Sequence, residues 1–159
     1  RTLLPRISFA RQNGVPLIVT DPETGEGVPG PRVPDWLGGN WYGNANAEIR
    51  TLRSGVCLKS GGDRRFLLYG YFSAHTPSSM ARTFQAYGCE YAMQLDMNSL
   101  EHTYMALYPH EGDGAGTQHL ASGMAQIDAE GSGGERIPRF VGFPDNRDFF
   151  YLLRKRTAP

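Results

Sequence analysis

The sequence has little cysteine, no net charge and no long apolar run. Its 159 residues include two cysteines, too few for the disulfide framework of a small secreted domain or for a structural zinc site without histidine ligands. Apolar runs such as residues 17–19 and 66–69 are far shorter than the roughly 20 residues of a membrane-spanning helix. The 16 basic and 16 acidic residues balance, so no global field favours nucleic acid. We therefore expect no membrane span and no nucleic-acid partner.

Glycine and proline are abundant instead. The 20 glycines and 11 prolines make up nearly a fifth of the chain, against roughly 12% in average proteins. This composition disfavours a helical bundle and favours turns and short strands. The hydrophobic content of 40% argues against disorder, and the length suits one domain. We predict a single α+β domain with a mixed or antiparallel sheet, one or two helices and long loops.

The two cysteines, Cys57 and Cys89, are interpreted as buried free thiols, and a single disulfide between them is the alternative. The chain begins at Arg1 rather than Met and carries no basic-then-apolar leader. We interpret it as a processed chain or as part of a longer one. Neither observation fixes the cellular compartment.

Alternating apolar residues and turn signals predict several strands. They cover residues 15–20, 48–52, 56–60, 64–73, 91–96, 102–108 and 148–154. A glycine turn at residues 61–63 indicates a β-hairpin. Long loops are predicted at residues 21–43, 109–116 and 131–134. The first loop carries Trp36 and Trp41, which either pin it to the surface or line a sugar site.

The strongest local pattern is a helix that begins at Thr76–Pro77. Threonine suits the N-cap, and proline suits the first helical position because its missing N–H has no partner there. Met80, Phe84 and Tyr87 fall on one apolar face, and Gly88 stands where a helix ends in the left-handed conformation. The sequence therefore predicts one amphipathic helix.

Three pieces of the sequence occur in a suggestive order. Residues 50–56 read RTLRSGV, residues 78–88 form a helix that ends in glycine, and residues 91–96 read YAMQLD. In order and spacing these pieces resemble the phosphodiester glycosidase (NAGPA-like) family, which has an Arg-Thr/Ser-x-Gly strand, a helix and an Ala-hydrophobic-Asn-Leu-Asp strand. The family's last strand runs into a glycine-rich turn, where this chain has Met97 and Asn98. These side chains crowd a phosphate cradle of backbone N–H groups.

The resemblance and the residues together suggest a site around Asp96. A carboxylate at a strand end suits a general acid/base or a nucleophile at an anomeric carbon, and hydrogen bonding within its own turn is the alternative. Glu101 is the nearest second carboxylate and His102 the nearest acid/base partner, although a solvated and a structural role respectively compete. The predicted phosphate-binding residues are Arg53 and Ser54, with Arg50 as a rival to Arg53. Gln94, Asn98 and Ser99 are predicted substrate or turn contacts.

The function that the resemblance implies is hydrolysis of a sugar-1-phosphodiester, with a glycan or sugar-phosphodiester substrate and without a cofactor. The alternative is a non-catalytic module that retains the fold and binds a glycan or a protein. A possible metal set in one loop is interpreted as a solvated acidic loop, so no metal is predicted. That set comprises His110, Glu111, Asp113 and His119.

Three regions are predicted within the single domain of residues 1–159. Residues 1–46 form a loop-rich segment, residues 47–108 the core motif region, and residues 109–159 the C-terminal loops and strand. Because the family's upstream strands have no convincing copy here, we expect the chain to be the C-terminal part of a larger domain. The missing N-terminal segment or another subunit would then be a partner. Family members are often exported, which favours a secreted or periplasmic location.

Overall fold

The computed structural model describes residues 14–35, 48–112, 114–145 and 149–153. Residue contacts divide the chain into two compact units, with the boundary between Thr103 and Tyr104. Each unit is described separately below. Trp36, Trp41 and Asp113 lie outside the described residues. Within the described residues, no helix is both long enough and apolar enough to cross a membrane.

The first unit is built on an antiparallel five-stranded sheet and one helix, which confirms the predicted α+β class. Its strands are β1 (Pro16–Thr20), β2 (Gly27–Pro29), β3 (Thr51–Gly61), β4 (Arg64–His75) and β5 (Tyr91–Met97), and its helix is α1 (Pro77–Ala86). The strand order is β2-β1-β5-β3-β4. The short strand β2 falls inside the stretch predicted to be loop.

The hairpin of β3 and β4 is longer than predicted. The sequence suggested a break at Ser54 and Gly55, but β3 runs through both residues and pairs with β4 along its length. The glycine serves packing rather than a turn, since a Cβ at Gly55 would lie 3.0 Å from both the Met93 carbonyl oxygen and the Phe84 ring. A larger residue would therefore push the helix away from the sheet.

The helix α1 begins and ends as its sequence predicts. The Thr76 hydroxyl accepts a hydrogen bond from the Ser79 amide at 3.2 Å, and the Ser79 hydroxyl accepts one from the Thr76 amide at 3.0 Å. This reciprocal capping satisfies two N–H groups that the first turn leaves without helical partners. Gly88 has a φ of 73°, in the left-handed region, and this conformation ends the helix.

The core of the first unit lies between α1 and the sheet. Met80, Ala81 and Phe84 of the helix pack there with Leu17 of β1 and Ala92 of β5. All five are buried, so Met80 and Phe84 of the predicted apolar face contact the sheet. Tyr87, the third residue predicted for that face, follows the helix and is exposed.

Cys57 and Cys89 form a disulfide, so the interpretation as free thiols is wrong. The turn after α1 returns the chain beside β3 and brings the two Cα atoms within 5.8 Å. That separation suits a disulfide. Both residues lie in the buried core, where the link joins β3 to the segment that leads into β5.

The second unit contains only very short strands among its described residues. They are β6 (Ala106–Leu107), β7 (His110–Glu111), β8 (Gly114–Ala115), β9 (Gln118–His119), β10 (Ala129–Glu130) and β11 (Arg136–Ile137), with a 3₁₀ helix at Ser122–Ile127. They pair as β6–β9, β7–β8 and β10–β11. The stretch 109–116, predicted to be loop, thus contains a small hairpin.

Two predicted strands are wrong. Residues 100–102 form a turn rather than the start of a strand, because the Thr103 amide and hydroxyl both donate to the Ser99 carbonyl, at 3.2 and 3.0 Å. Only Ala106–Leu107 of the predicted strand 102–108 is extended and paired. Residues 149–153, the described part of the predicted closing strand, are not in a strand.

A buried carboxylate lies at the centre of the second unit. The Asp128 side chain is 2% exposed. It accepts hydrogen bonds from the Tyr104 hydroxyl at 2.9 Å and the Arg139 amide at 3.1 Å, and its other oxygen lies 2.9 Å from His119 Nε2. The Arg139 guanidinium bonds Asp145 at 2.7 Å. Polar side chains therefore fill much of the interior of this unit.

Candidate functional site

The site begins at an irregularity in the β3–β5 ladder. Arg53 pairs with Met97 whereas Gly55 pairs with Gln94, so β5 has one more residue than β3 in this interval. The extra residue is a β-bulge, a feature that redirects side chains. The Ser54 hydroxyl fills the gap, since it donates to the Asp96 carbonyl at 3.0 Å and accepts from the Asp96 amide at 3.2 Å.

Asp96 lies at this bulge with its side chain 60% exposed. Its Oδ1 accepts a hydrogen bond from the Met97 amide at 2.8 Å and lies 3.9 Å from His102 Nδ1. The predicted bond within its own turn is therefore present. It uses one carboxylate oxygen of a group that is largely open to solvent.

His102 is oriented by a backbone carbonyl. Its Nδ1 lies 2.8 Å from the Met97 carbonyl oxygen. A carbonyl oxygen only accepts hydrogen bonds, so Nδ1 carries the proton and the neutral ring keeps its lone pair on Nε2. The ring is 28% exposed. The structure thus brings His102 and Asp96 together, and Nε2 of His102 stays able to accept a proton.

Arg53 is fully buried, at 0% exposure. Its guanidinium donates to the carbonyl oxygens of His75 at 2.9 Å and Ile49 at 3.0 Å, to Gln94 Oε1 at 2.9 Å, and to Met97 Sδ at 3.4 Å. Burial lowers the pKa of Arg53 to about 10. These contacts join the end of β4 to the bulge in β5. They do not present the guanidinium to a solvent-filled cleft beside Asp96, so phosphate binding by Arg53 stays a prediction.

Gln94 and Ser54 are likewise buried, and both contribute to the bulge rather than to an open surface. Asn98 takes a φ of 78°, a left-handed conformation that asparagine tolerates better than most residues. The backbone N–H of Asn98 donates to the Leu52 carbonyl at 2.7 Å. A non-glycine residue therefore makes the turn where the family has glycine.

Ser99 and Glu101 complete the predicted set. The Ser99 carbonyl accepts from the amides of His102 and Thr103, both at 3.2 Å, and closes the turn. The Ser99 hydroxyl is buried and makes no hydrogen bond to the described residues. Glu101 is exposed in the same turn. Of the residues predicted for catalysis, Asp96 and His102 lie within 3.9 Å of each other.

Tyr69 belongs to this site although no sequence motif indicated it. Its hydroxyl donates to the Thr103 carbonyl at 2.9 Å. Burial raises the pKa of Tyr69, a hydrogen bond with Ser54 lowers it, and the charge of Asp96 raises it further. The hairpin register offers a signal that could have found it, since Tyr69 lies on β4 two residues from Tyr71, which pairs with Ser54.

A groove of about 320 Å³ lies on the first unit between β4 and α1. It is lined by residues 68–72 and by Thr83, Phe84 and Tyr87. The strand β4 is an edge of the sheet formed by the described strands. The groove therefore combines an apolar lining with backbone groups of an edge strand.

The described residues contain no group of three or more histidine, cysteine, aspartate or glutamate side chains placed to hold a metal ion. Comparison of the chain with family models, curated proteins and solved structures finds no match.

Proposed function

We propose that this chain is a phosphodiester glycosidase-like hydrolase that releases a sugar from a sugar-1-phosphodiester. The observation that carries the proposal is the exposed Asp96 carboxylate, 3.9 Å from a histidine nitrogen and held at a β-bulge. The resemblance of residues 50–56, 78–88 and 91–96 to that family supports the choice of substrate class. Glycoside hydrolysis commonly uses two carboxylates, and in this proposal an imidazole, a common general base, takes the place of the second.

In the proposed reaction, His102 Nε2 takes a proton from water as its oxygen attacks the anomeric carbon. The bond between that carbon and the phosphate oxygen breaks, and its electron pair leaves with the phosphate. Ionised Asp96 stabilises the positive charge that develops on the sugar and then on the imidazole ring. A phosphate leaving group is stable as an anion, so it needs little protonation. The proposal therefore assigns catalysis to one carboxylate and one histidine.

The other predicted residues have supporting roles in this proposal. Arg53 and Gln94 hold the bulge from inside, which makes them positioning residues. Ser54 ties β3 to the backbone of Asp96. Asn98 is exposed in the turn after Asp96, and in this proposal it contacts the substrate.

The disulfide supports a location outside the reducing cytoplasm. Disulfides persist mainly in oxidising compartments, and the Cys57–Cys89 link is buried in the core of the first unit. A secreted or periplasmic hydrolase is consistent with this chemistry.

The proposal is tested by Asp96→Asn, assayed against a panel of sugar-1-phosphodiesters. We expect turnover to fall about 100-fold or more, because the amide cannot stabilise a cationic transition state. The melting temperature should change little, since the amide oxygen still accepts from the Met97 amide. Asp63→Asn, in the exposed turn between β3 and β4, is the matched control and should retain activity. Unchanged turnover with lowered stability in Asp96→Asn would refute the proposal.

A second candidate function is a non-catalytic module that binds a glycan or a protein. The groove between β4 and α1 favours it, because an edge strand beside an apolar helix surface suits an extended peptide. This candidate predicts that Asp96→Asn leaves binding intact and that Tyr87→Ala weakens it. Binding is measured by calorimetry with glycans and with extended peptides. Absence of turnover on the whole panel together with such binding would favour it over the hydrolase.

A further inference from the structure

The turn that carries His102 is contacted by a side chain from a neighbouring strand. Residues 99–103 close on the Ser99 carbonyl, and Thr103 is fully buried at the end of the turn. The Thr103 carbonyl accepts the hydroxyl of Tyr69 at 2.9 Å. Tyr69 lies within β4, whose ladder with β3 extends on both sides of it. The phenol therefore connects a rigid strand to the turn.

The position of this contact matters for the ring of His102. Nδ1 must stay near the Met97 carbonyl, at 2.8 Å, to keep its proton there. Met97 ends β5, whereas His102 lies in the turn next to Thr103. A shift of the turn would lengthen that bond. The ring would then no longer be restricted to the Nδ1–H tautomer.

We propose that Tyr69 is a positioning residue of the candidate site: its hydroxyl fixes the turn so that His102 keeps the Nδ1–H tautomer and stays beside Asp96. It acts through His102 and not on the substrate. The inference rests on the proposed function for the role of the Asp96–His102 pair. Its first readout is spectroscopic and needs no turnover.

The variant Tyr69→Phe removes one oxygen and keeps the ring. Nitrogen-15 NMR of the histidine rings reports the tautomer, and His102→Gln assigns the His102 signals among the four histidines. We expect the Nδ1–H form in the unmodified chain and a mixture with Nε2–H in Tyr69→Phe. Tyr71→Phe, two residues along the same strand, is the matched control and should keep the Nδ1–H form. An Nδ1–H form that persists in Tyr69→Phe would overturn the inference.

Thr103→Val gives a second way to loosen the same turn, because it removes the hydroxyl that donates to the Ser99 carbonyl at 3.0 Å. We expect it to mix the tautomers as well. It keeps the inference testable if Tyr69→Phe does not fold, since a fixed Nδ1–H form in this variant would show that the turn does not control the ring.

The kinetic readout separates this inference from the proposed function. On an active substrate, Tyr69→Phe should lower kcat about 10- to 100-fold with KM little changed, as misplacement of a reacting group does. An effect on KM alone would contradict a positioning role. If the unmodified chain hydrolyses no member of the panel, the proposed hydrolase fails while the tautomer measurements still decide the role of Tyr69.

Discussion

The two units of the chain stabilise their interiors by different means. In the first, long strands and α1 bury an apolar core that a disulfide crosses. In the second, the described strands have two residues each, and a buried carboxylate collects donors from a tyrosine, a histidine and a backbone amide. Apolar burial is nearly independent of pH, whereas a buried charge depends on its partners and their protonation. The second unit should therefore be the more sensitive of the two to single polar substitutions.

The two units also differ in what fixes the positions of their side chains. In the first unit the backbone ladder fixes where Asp96 lies, and side chains such as Ser54 refine the position. In the second unit side chains supply much of the framework themselves, because its two-residue strands contribute few ladder hydrogen bonds. Substitutions that remove one partner should show this contrast directly.

The largest effect is expected when the disulfide is removed. The two cysteines are 32 residues apart, and closing a loop of that size stabilises a fold by about 3.7 kcal/mol in the chain-entropy model. Cys57→Ser with Cys89→Ser should lower the free energy of unfolding of the first unit by that order. Hydrogen exchange resolved by peptide should show faster exchange in residues 51–97 and little change in residues 104–145. Equal acceleration in both regions would contradict independent stabilisation of the units.

A slightly smaller effect is expected for Asp128→Ala in the second unit. The substitution leaves the Tyr104 hydroxyl and the Arg139 amide without their shared acceptor in a buried position. Stranding buried donors in this way costs about 3 kcal/mol. The same exchange experiment should now show faster exchange in residues 104–145. Asp128→Asn keeps one acceptor oxygen and should cost less, so an equal loss in the two variants would argue against hydrogen bonding as the cause.

The smallest effect concerns alkaline pH. Burial is the main cause that raises the pKa of both Tyr104 and Tyr108. The unfolded chain loses these protons above about pH 10 while the folded chain retains them. The stability they contribute is therefore complete below pH 10 and is lost as the pH rises. Denaturant unfolding at pH 8 and pH 10.5 should show this decrease.

Tyr104→Phe checks the cause of that decrease. It removes the hydrogen bond to Asp128, which costs about 1 kcal/mol at pH 8, and it should make the loss between pH 8 and 10.5 smaller. Tyr151→Phe changes an exposed tyrosine and should behave like the unmodified chain. An unchanged pH dependence in Tyr104→Phe would exclude this residue as the source.

The sequence predicted best those elements that depend on interactions between residues close in the chain. The cap at Thr76, the helix α1 and the strand β5 each depend on residues close in sequence, and each element is confirmed. The buried positions are predicted less well, since Tyr87 is exposed and β5 buries Ala92 and Gln94 rather than its more apolar positions 91, 93 and 95. The disulfide was missed because two cysteines alone do not reveal that a helix and a turn bring them to 5.8 Å. The strand predicted at residues 102–108 failed because Thr103 has a competing bond to Ser99, a choice that strand propensity does not contain.

The candidate site was predictable only in part, for a related reason. Asp96 and His102 are six residues apart and the turn between them makes their proximity a local matter. The burial of Arg53 depends on Gln94, His75 and Ile49, which come from three separate stretches. Tyr69 reaches Thr103 from 34 residues away. Contacts of that range are set by strand register, which a single sequence does not specify.

The extra residue in β5 changes which of its side chains share a face of the strand. In an unbroken strand, neighbours separated by an odd number of positions lie on opposite faces. Gln94 and Met97 are three apart, yet both accept hydrogen bonds from the guanidinium of Arg53. The bulge thus reverses the alternation of side chains after it, and Met97 lies on the same face as Gln94. A deletion of Leu95 would remove the bulge and leave Gln94 and Met97 two positions apart, which is the spacing of residues on one face of a regular strand. The position of Asp96 at the bulge therefore depends on the one additional residue that β5 has in this interval.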